Sequence, residues 1–316
     1  ELGSVQQMCS SNFFSAMVVL RGEQLVYEQY APDFAPHQAH TIMSITKTMT
    51  HLIMGRCVED GLIDLNAKVC DYLPEIGSGY ADAIIQNVLD MNIVNDYSED
   101  YSDLHTTALL HNASMGWRLP AANVRLTSNR EFLCTIGSND LLNRSGEVNY
   151  KSASTDVLAW IAERVSGQAL RDHLIRIVEA AGIEHTFYMS TDHTAVPNTN
   201  GGACLSPRDL ARLGLIFARR GRGINGKLVG SHTFMDAARR CTGPTYPPPD
   251  NHIHYGNQLK TNGRWVGHGG WGGQLLMVDP ETTTVVVFFS VLENQSASDD
   301  NHSRAIVQMA EEVIGC

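Results

Sequence analysis

Ser44-Ile45-Thr46-Lys47 sets a hydroxyl and an amine three residues apart at the start of an apolar run that reaches Ile53 and Met54. On a helix, residues i and i+3 share a face, so the amine can reach the hydroxyl. Such a pair is a nucleophile with its base, provided the surroundings bring the lysine pKa down toward neutrality, and S-x-x-K is a known serine-acylation signature. The same residues also fit a serine N-cap followed by a solvated first-turn cation. A second candidate is Asn149-Tyr150-Lys151-Ser152-Ala153-Ser154, between Gly146 and a helical pattern opening near Thr155 or Asp156. A phenol near an ammonium gives up its proton more easily, and Ser152 can donate a hydrogen bond to a substrate; in the plainer reading Tyr150 packs its ring and Ser154 caps the helix. The third is Gly267-His268-Gly269-Gly270-Trp271-Gly272-Gly273-Gln274, five glycines in eight residues before a strand. That density weakens a strand unless something approaches the backbone closely. Backbone N–H groups exposed there can hold an oxyanion; a glycine-rich turn is the structural alternative.

The elements that must position these groups are legible in outline. Ala16–Leu20 and Leu25–Tyr30 read as a β-hairpin turning at residues 21–24. From Ser44 a helical period runs through Val58 and ends near Gly61, with Asp64 as a cap for a short helix toward Val69. Further helices are expected from Ile84 to Met91, over 130–136, over 153–166 ending at Gly167, and over 169–181 ending at Gly182. Ser206 caps a helix that has Pro207 in its first turn and runs to Ala218. Residues 95–101 and the four-proline stretch 244–250 read as loops, and 95–101, 114–120 with Trp117, and 244–254 are expected to wall a pocket. Tyr255–Lys260, Arg264–Gly267, Gln274–Asp279 and Thr283–Leu292 read as consecutive antiparallel strands, followed by a helix from Ser303 to Ile314. The expected class is α/β in the α+β sense: an antiparallel sheet flanked by helices from 1–43 and 215–316, with 44–214 inserted as a mainly helical domain. The active site would lie in the cleft between them.

Composition narrows the function. The 316 residues carry 23 Lys and Arg against 34 Asp and Glu, a net charge of −11, which disfavours nucleic acid and anionic membranes as partners. No stretch approaches the ~18 apolar residues of a membrane span. The basic cluster Arg219-Arg220-Gly221-Arg222 reads as a helix C-terminus rather than a binding patch. Seven scattered cysteines without C-x-x-C spacing fit neither a disulfide scaffold nor a zinc site and favour a cytoplasmic location. His252 and His254 read as loop residues rather than metal ligands. No leader is legible, and Glu1-Leu2-Gly3-Ser4 reads as an added or trimmed start. Oligomeric state is not written in the sequence.

Taken together, Ser44-Ile-Thr-Lys47, Tyr150-Lys-Ser152 and His268-Gly-Gly270 occur in the order and spacing of a known arrangement. The chain resembles the serine β-lactamase and penicillin-binding-protein superfamily, most closely its class C-like branch of carboxylesterases, D-amino-acid peptidases and 6-aminohexanoate-dimer hydrolase. Residues 201–214 and the final strands and helix are similar too. The resemblance implies a serine hydrolase that cleaves a small ester or amide through an acyl-enzyme on Ser44, without metal or organic cofactor. Lys47 and Tyr150 would share the proton transfers, and the sequence leaves open which is the base. It further implies an oxyanion site from the backbone N–H groups of Ser44 and Trp271, with Ser152, His268, Gly269 and Gly270 against the substrate. Serine at 152 and His-Gly-Gly in place of K-T-G are departures that remove the groups gripping a β-lactam carboxylate. The alternatives are a D-alanyl carboxypeptidase or β-lactamase and, in another class, a catalytically silent ligand-binding protein. Asp96, Glu99, Asp100 and Asp103 either attract a substrate amine or form a solvated loop, the reading preferred here.

Overall fold

In a computed structural model, residues 3–103, 105–120, 122, 124–294 and 296–315 are described. Along the chain run α1 (Gly3–Cys9), β1 (Phe14–Arg21), β2 (Gln24–Tyr30), β3 (His40–Thr41), a 3-10 turn (Met43–Thr46) and α2 (Lys47–Glu59). Then come α3 (Val69–Tyr72), α4 (Ile85–Leu89), α5 (Thr107–Ser114), α6 (Asn129–Leu133), α7 (Ser152–Ser166) and α8 (Leu170–Ala181). They are followed by β4 (Tyr188–Met189), β5 (Ala203–Leu205), α9 (Pro207–Ala218), α10 (His232–Arg239), β6 (His254–Gly256), β7 (Leu259–Thr261), β8 (Val266–Gly270), β9 (Gln274–Asp279), β10 (Thr284–Ser290) and α11 (Asp300–Ile314).

Seven strands form one antiparallel sheet in the order β2-β1-β10-β9-β8-β7-β6, so the N-terminal hairpin joins the C-terminal strands through β1 and β10. Every residue of β10 is buried, because both faces of the sheet are covered. Val285, Val287 and Phe289 pack toward α2, α7 and α9, while Val286 and Phe288 pack with Met309 and Ile314 of α11. The alternation places successive side chains on opposite faces, which is why the apolar run shows no polar interruption. Both Gly167 and Gly182 end their helices in the left-handed conformation, and Ser206 accepts the Asp209 N–H as the cap of α9. The Arg219 and Arg220 guanidiniums after α9 pair with Glu23, Asp236 and Glu281.

Several elements differ from expectation. Asp64 caps no helix: it makes a local turn with the Asn66 N–H, and α3 begins only at Val69, where the expected helix was to end. Ser154 is inside α7, hydrogen-bonded to Tyr80, and α7 starts two residues earlier at Ser152. The single strand expected over 255–260 is the hairpin β6–β7, turned at Asn257 and Gln258, both with positive φ. Non-glycine residues tolerate that turn because tertiary bonds hold them: Asn257 donates to the Phe234 carbonyl and Gln258 to the Leu89 carbonyl. Neither α1, α5 and α10 nor the small sheet β3-β5-β4 was foreseen. Gly3 and Ser4 belong to α1, which packs against α11, while Glu1 and Leu2 lie outside the described residues. Helix α9 runs across residue 214 and lies against β1, β9 and β10, so we propose grouping it with the sheet and 44–206 as the helical part.

The glycines of β8 are set by its neighbours. A Cβ on Gly267 would lie 2.0 Å from the Leu276 carbonyl oxygen, whereas one on Gly269 would meet nothing closer than 3.7 Å. Gly267→Ala is therefore expected to lower unfolding stability by about 3 kcal/mol through overpacking and Gly269→Ala to leave it nearly unchanged, as read by chemical denaturation midpoints.

Candidate active site

Two tight constraints place Ser44. The Ile42 N–H bonds the Ala203 carbonyl, pinning the segment to β5, and Met43 then adopts φ of 44°, a conformation costly for a branchless but bulky L-residue. On the other side the end of β8 comes so close that a Cβ on Gly270 would lie 2.6 Å from the Ile42 carbonyl oxygen. The serine thus sits in a 3-10 turn wedged against β8 rather than inside α2.

Lys47, the first residue of α2, has no exposed surface. Its ammonium donates to Ser44 Oγ at 3.0 Å, to Ser152 Oγ at 3.0 Å and to the Asn200 carbonyl at 2.7 Å, which uses all three protons. Burial pushes its pKa down to about 8; the charges of Glu99 and Asp156 resist and that of Lys260 assists. The solvated-cation reading of Lys47 is excluded by this environment.

The Tyr150 ring lies 5.0 Å from the Lys47 ammonium. Its hydroxyl is buried without a hydrogen bond to any described residue. Contrary to the expectation of easy ionisation, its pKa is raised well above the ordinary phenol value, chiefly by burial and then by Glu99 and Tyr246. The adjacent Ser44 hydroxyl pulls the other way, although the two groups miss hydrogen-bond geometry. Ser152 opens α7, and its N–H donates to Glu99 Oε1 at 2.6 Å. Glu99 is therefore the ligand of a helix N-terminus at the cavity wall, while Asp100 and Asp103 accept backbone N–H groups in local turns and Asp96 accepts the distant Gly137 N–H.

Buried His268 accepts from Tyr255 OH at Nε2 (3.1 Å) and points Nδ1 at the Gly269 carbonyl (2.7 Å), so both ring nitrogens are used within the protein and the proton sits on Nδ1. Burial, then the nearby Lys260 and Lys47 ammoniums, hold it neutral, well below the usual histidine range. Trp271 follows β8 in a turn; its indole donates to the Ser296 carbonyl and stacks on Tyr101 at 4.3 Å. Neither the Ser44 nor the Trp271 backbone N–H is taken by a described residue.

Ser44, Glu99, Tyr150, Ser152, His268 and Trp271 line a cavity of about 1080 Å³, with the wholly buried Lys47 bonded to two of them, and the three expected wall segments contribute Tyr97 and Tyr101, Met115 and Trp117, and Tyr246 and Ile253. Beneath it lies a layer that sequence reasoning missed. Asp156 receives Thr199 Oγ1 (2.8 Å), Asn200 Nδ2 (2.6 Å), Asn129 Nδ2 (2.9 Å) and His111 Nε2 (3.1 Å). Burial alone would raise its pKa, but these donors, His111 first, hold it below the ordinary carboxylate range. His111 continues through Tyr97 OH (3.0 Å) to Glu99 (2.9 Å). One ring of hydrogen bonds thus runs from Lys47 through Asn200, Asp156, His111, Tyr97 and Glu99 back to Ser152. The available signal was Asp156 lying one turn below Ser152 on the same helical face. Lys260, also on the cavity wall, carried no signal.

With this geometry in hand, comparison with known proteins is informative. The family model described as Beta-lactamase matches residues 15–310. A 6-aminohexanoate-dimer hydrolase of Paenarthrobacter ureafaciens is 33% identical over 305 residues, 92% of this chain and 75% of the relative. Among solved structures, a candidate 6-aminohexanoate-dimer hydrolase from Bacillus anthracis superposes with a TM-score of 0.82 at 22% identity, covering 98% of this chain and 81% of that one. A D-stereospecific amidohydrolase from a Streptomyces species gives 0.67 at 16% identity, covering 100% and 99%. A family match over nearly the whole length and a relative of this identity agree with the site: the chain belongs to the β-lactamase family.

Proposed function

We propose that the protein is a serine hydrolase that cleaves an ester or amide bond of a small molecule through an acyl-enzyme on Ser44. The observation that carries this reading is the wholly buried Lys47, 3.0 Å from Ser44 Oγ and titrating near 8. With that pKa, on the order of a tenth or more of the lysine is free amine at neutral pH, enough for a general base. Lys47 takes the Ser44 proton as Oγ attacks the carbonyl. Tyr150, whose proton is held tightly by burial, is the group that stays able to protonate the leaving atom. The open alternative between the two is thus assigned: Lys47 as base, Tyr150 as acid.

The unclaimed N–H groups of Ser44 and Trp271 are suited to the developing oxyanion, each such donor contributing about 3 kcal/mol. Ser152 fixes the Lys47 amine, and Gly269, Gly270 and the neutral His268 form the wall along which the substrate lies. Water then attacks the acyl carbon, its proton passing to the Tyr150 phenolate, while the Lys47 ammonium returns its proton to Ser44 Oγ as the acid leaves, so that all three groups are restored. The relative's substrate, a 6-aminohexanoate dimer by its name, places linear amides first among candidates for this chain. A silent ligand-binding role is disfavoured because the nucleophile, amine and phenol are brought together, the Lys47 amine 3.0 Å from Ser44 Oγ and 5.0 Å from the Tyr150 ring. The six described cysteines are unpaired, which fits a reducing, cytoplasmic setting. Among the described residues no helix is long and apolar enough to cross a membrane.

With 4-nitrophenyl butyrate, kcat/KM should rise with pH along one limb that is half-maximal near pH 8 and levels above it, since the active form is the free amine and is lost as pH falls below the Lys47 pKa. A limb lying above 10 would assign the base to Tyr150. Lys47→Met should abolish turnover with the fold intact by circular dichroism. Asp156→Asn removes a charge that favours the Lys47 ammonium, so the limb should move to lower pH. The same change should cost roughly 3 kcal/mol of stability by thermal or chemical denaturation, because it puts a donor among donors in a buried network.

A further inference from the structure

Two lysines at the site, Lys260 on the cavity wall and Lys47 buried below it, are in opposite circumstances. Lys47 has an acceptor for each of its three protons. Lys260 has no hydrogen bond or ion pair to any described residue, and its ammonium stands over the face of the Tyr246 ring, 4.5 Å from its centre. Its position is built by the sheet. Lys260 is central in β7, opposite Tyr255 on one side and Gly267 on the other. Because β8 carries glycine at 267 and 269, no side chain blocks the ammonium, and a Cβ on Gly269 would stand 3.9 Å from it. The nearby carboxylate of Asp250 is committed to Arg304, 3.0 Å away.

A second group at the same wall is equally unserved. The Tyr246 hydroxyl is buried and lacks any partner among the described residues. Leaving buried donors unpaired costs about 1–3 kcal/mol each, and such groups in native proteins call for an explanation. The lining contains no arginine and includes Glu99 and Asp100, and the Glu99 charge reaches Tyr246, so a compact dianion such as phosphate is poorly matched. A single ammonium and a single hydroxyl suit one carboxylate, which would also offset the repulsion between Lys260 and Lys47.

We propose that Lys260 and Tyr246 bind a carboxylate carried by the substrate, so that the enzyme selects esters or amides with an anionic end. The cation comes from β7, the strand beside the one that edges the site, which is why the strings of β8 do not reveal it. This rests on the hydrolase reading above and narrows its substrate class.

The test compares 4-nitrophenyl monoesters of succinate, glutarate and adipate with 4-nitrophenyl butyrate and pentanoate. Wild type should prefer an anionic ester in kcat/KM by about tenfold or more, the size expected of a charge-assisted hydrogen bond. Lys260→Met should remove most of that preference, Lys260→Arg should restore part of it, and Tyr246→Phe should reduce it a few-fold. Glutarate and adipate binding to Ser44→Ala by calorimetry, lost in Ser44→Ala with Lys260→Met, gives a readout independent of turnover. Neutral esters turned over without an anionic preference, or dicarboxylate binding that persists without Lys260, overturns the proposal. Absence of any turnover with Lys260-dependent dicarboxylate binding would uphold the anion site while removing the hydrolase reading.

Discussion

The structure turns on burying one lysine ammonium at the foot of a cavity. Removing a charge from water is expensive unless it is paired and hydrogen-bonded, and for Lys47 the three acceptors come from three distant parts of the chain: residue 44, residue 152 and residue 200. Satisfying them fixes the start of α2, the start of α7 and the turn before β5 relative to one another. The pairing remains incomplete in charge, because Asp156 and Glu99 act from a distance rather than in contact, and the amine titrates near 8. A direct carboxylate partner would have stabilised the ammonium and removed the base.

That compromise is held in place by packing rather than by the reacting groups themselves. The sheet presses β8 against the segment before Ser44 with no room for a Cβ at Gly270, and Met43 accepts an unfavourable φ in consequence. The Asp156 network orients Asn200, whose carbonyl faces the lysine, and Glu99 holds the N-terminus of α7, which carries Ser152. Buried networks of this kind are rigid when every member is satisfied. Among the polar groups without a hydrogen-bond partner in the described residues, Tyr150 OH, Tyr246 OH and the Lys260 ammonium belong to residues that line the cavity.

Much of this was legible in the sequence where the signal is local. Period-2 and helical patterns, Ser206-Pro207 and the glycine stops at 167 and 182 located the sheet and the main helices, and the three short strings picked out the residues that now line one cavity. Short elements failed because their stability is tertiary: the β6–β7 turn needs bonds to Phe234 and Leu89, and α1 needs α11. The electrostatics failed for a related reason. Proximity of Lys47 to Tyr150 suggested an acidic phenol, but burial outweighs the neighbouring charge. His111 lies far from the strings in sequence and Asp156 and Lys260 lie just outside them, and only the fold shows that Asp156 is fully paired while Lys260 has no hydrogen-bond partner among the described residues.

The most direct test is intact-mass spectrometry of the wild type and Ser44→Ala after exposure to an active-site fluorophosphonate. A single stoichiometric adduct on the wild type, mapped to Ser44 and absent from the folded variant, is the predicted result. An adduct that persists in Ser44→Ala, or none on well-folded wild type, would contradict the assignment of Ser44 as the nucleophile.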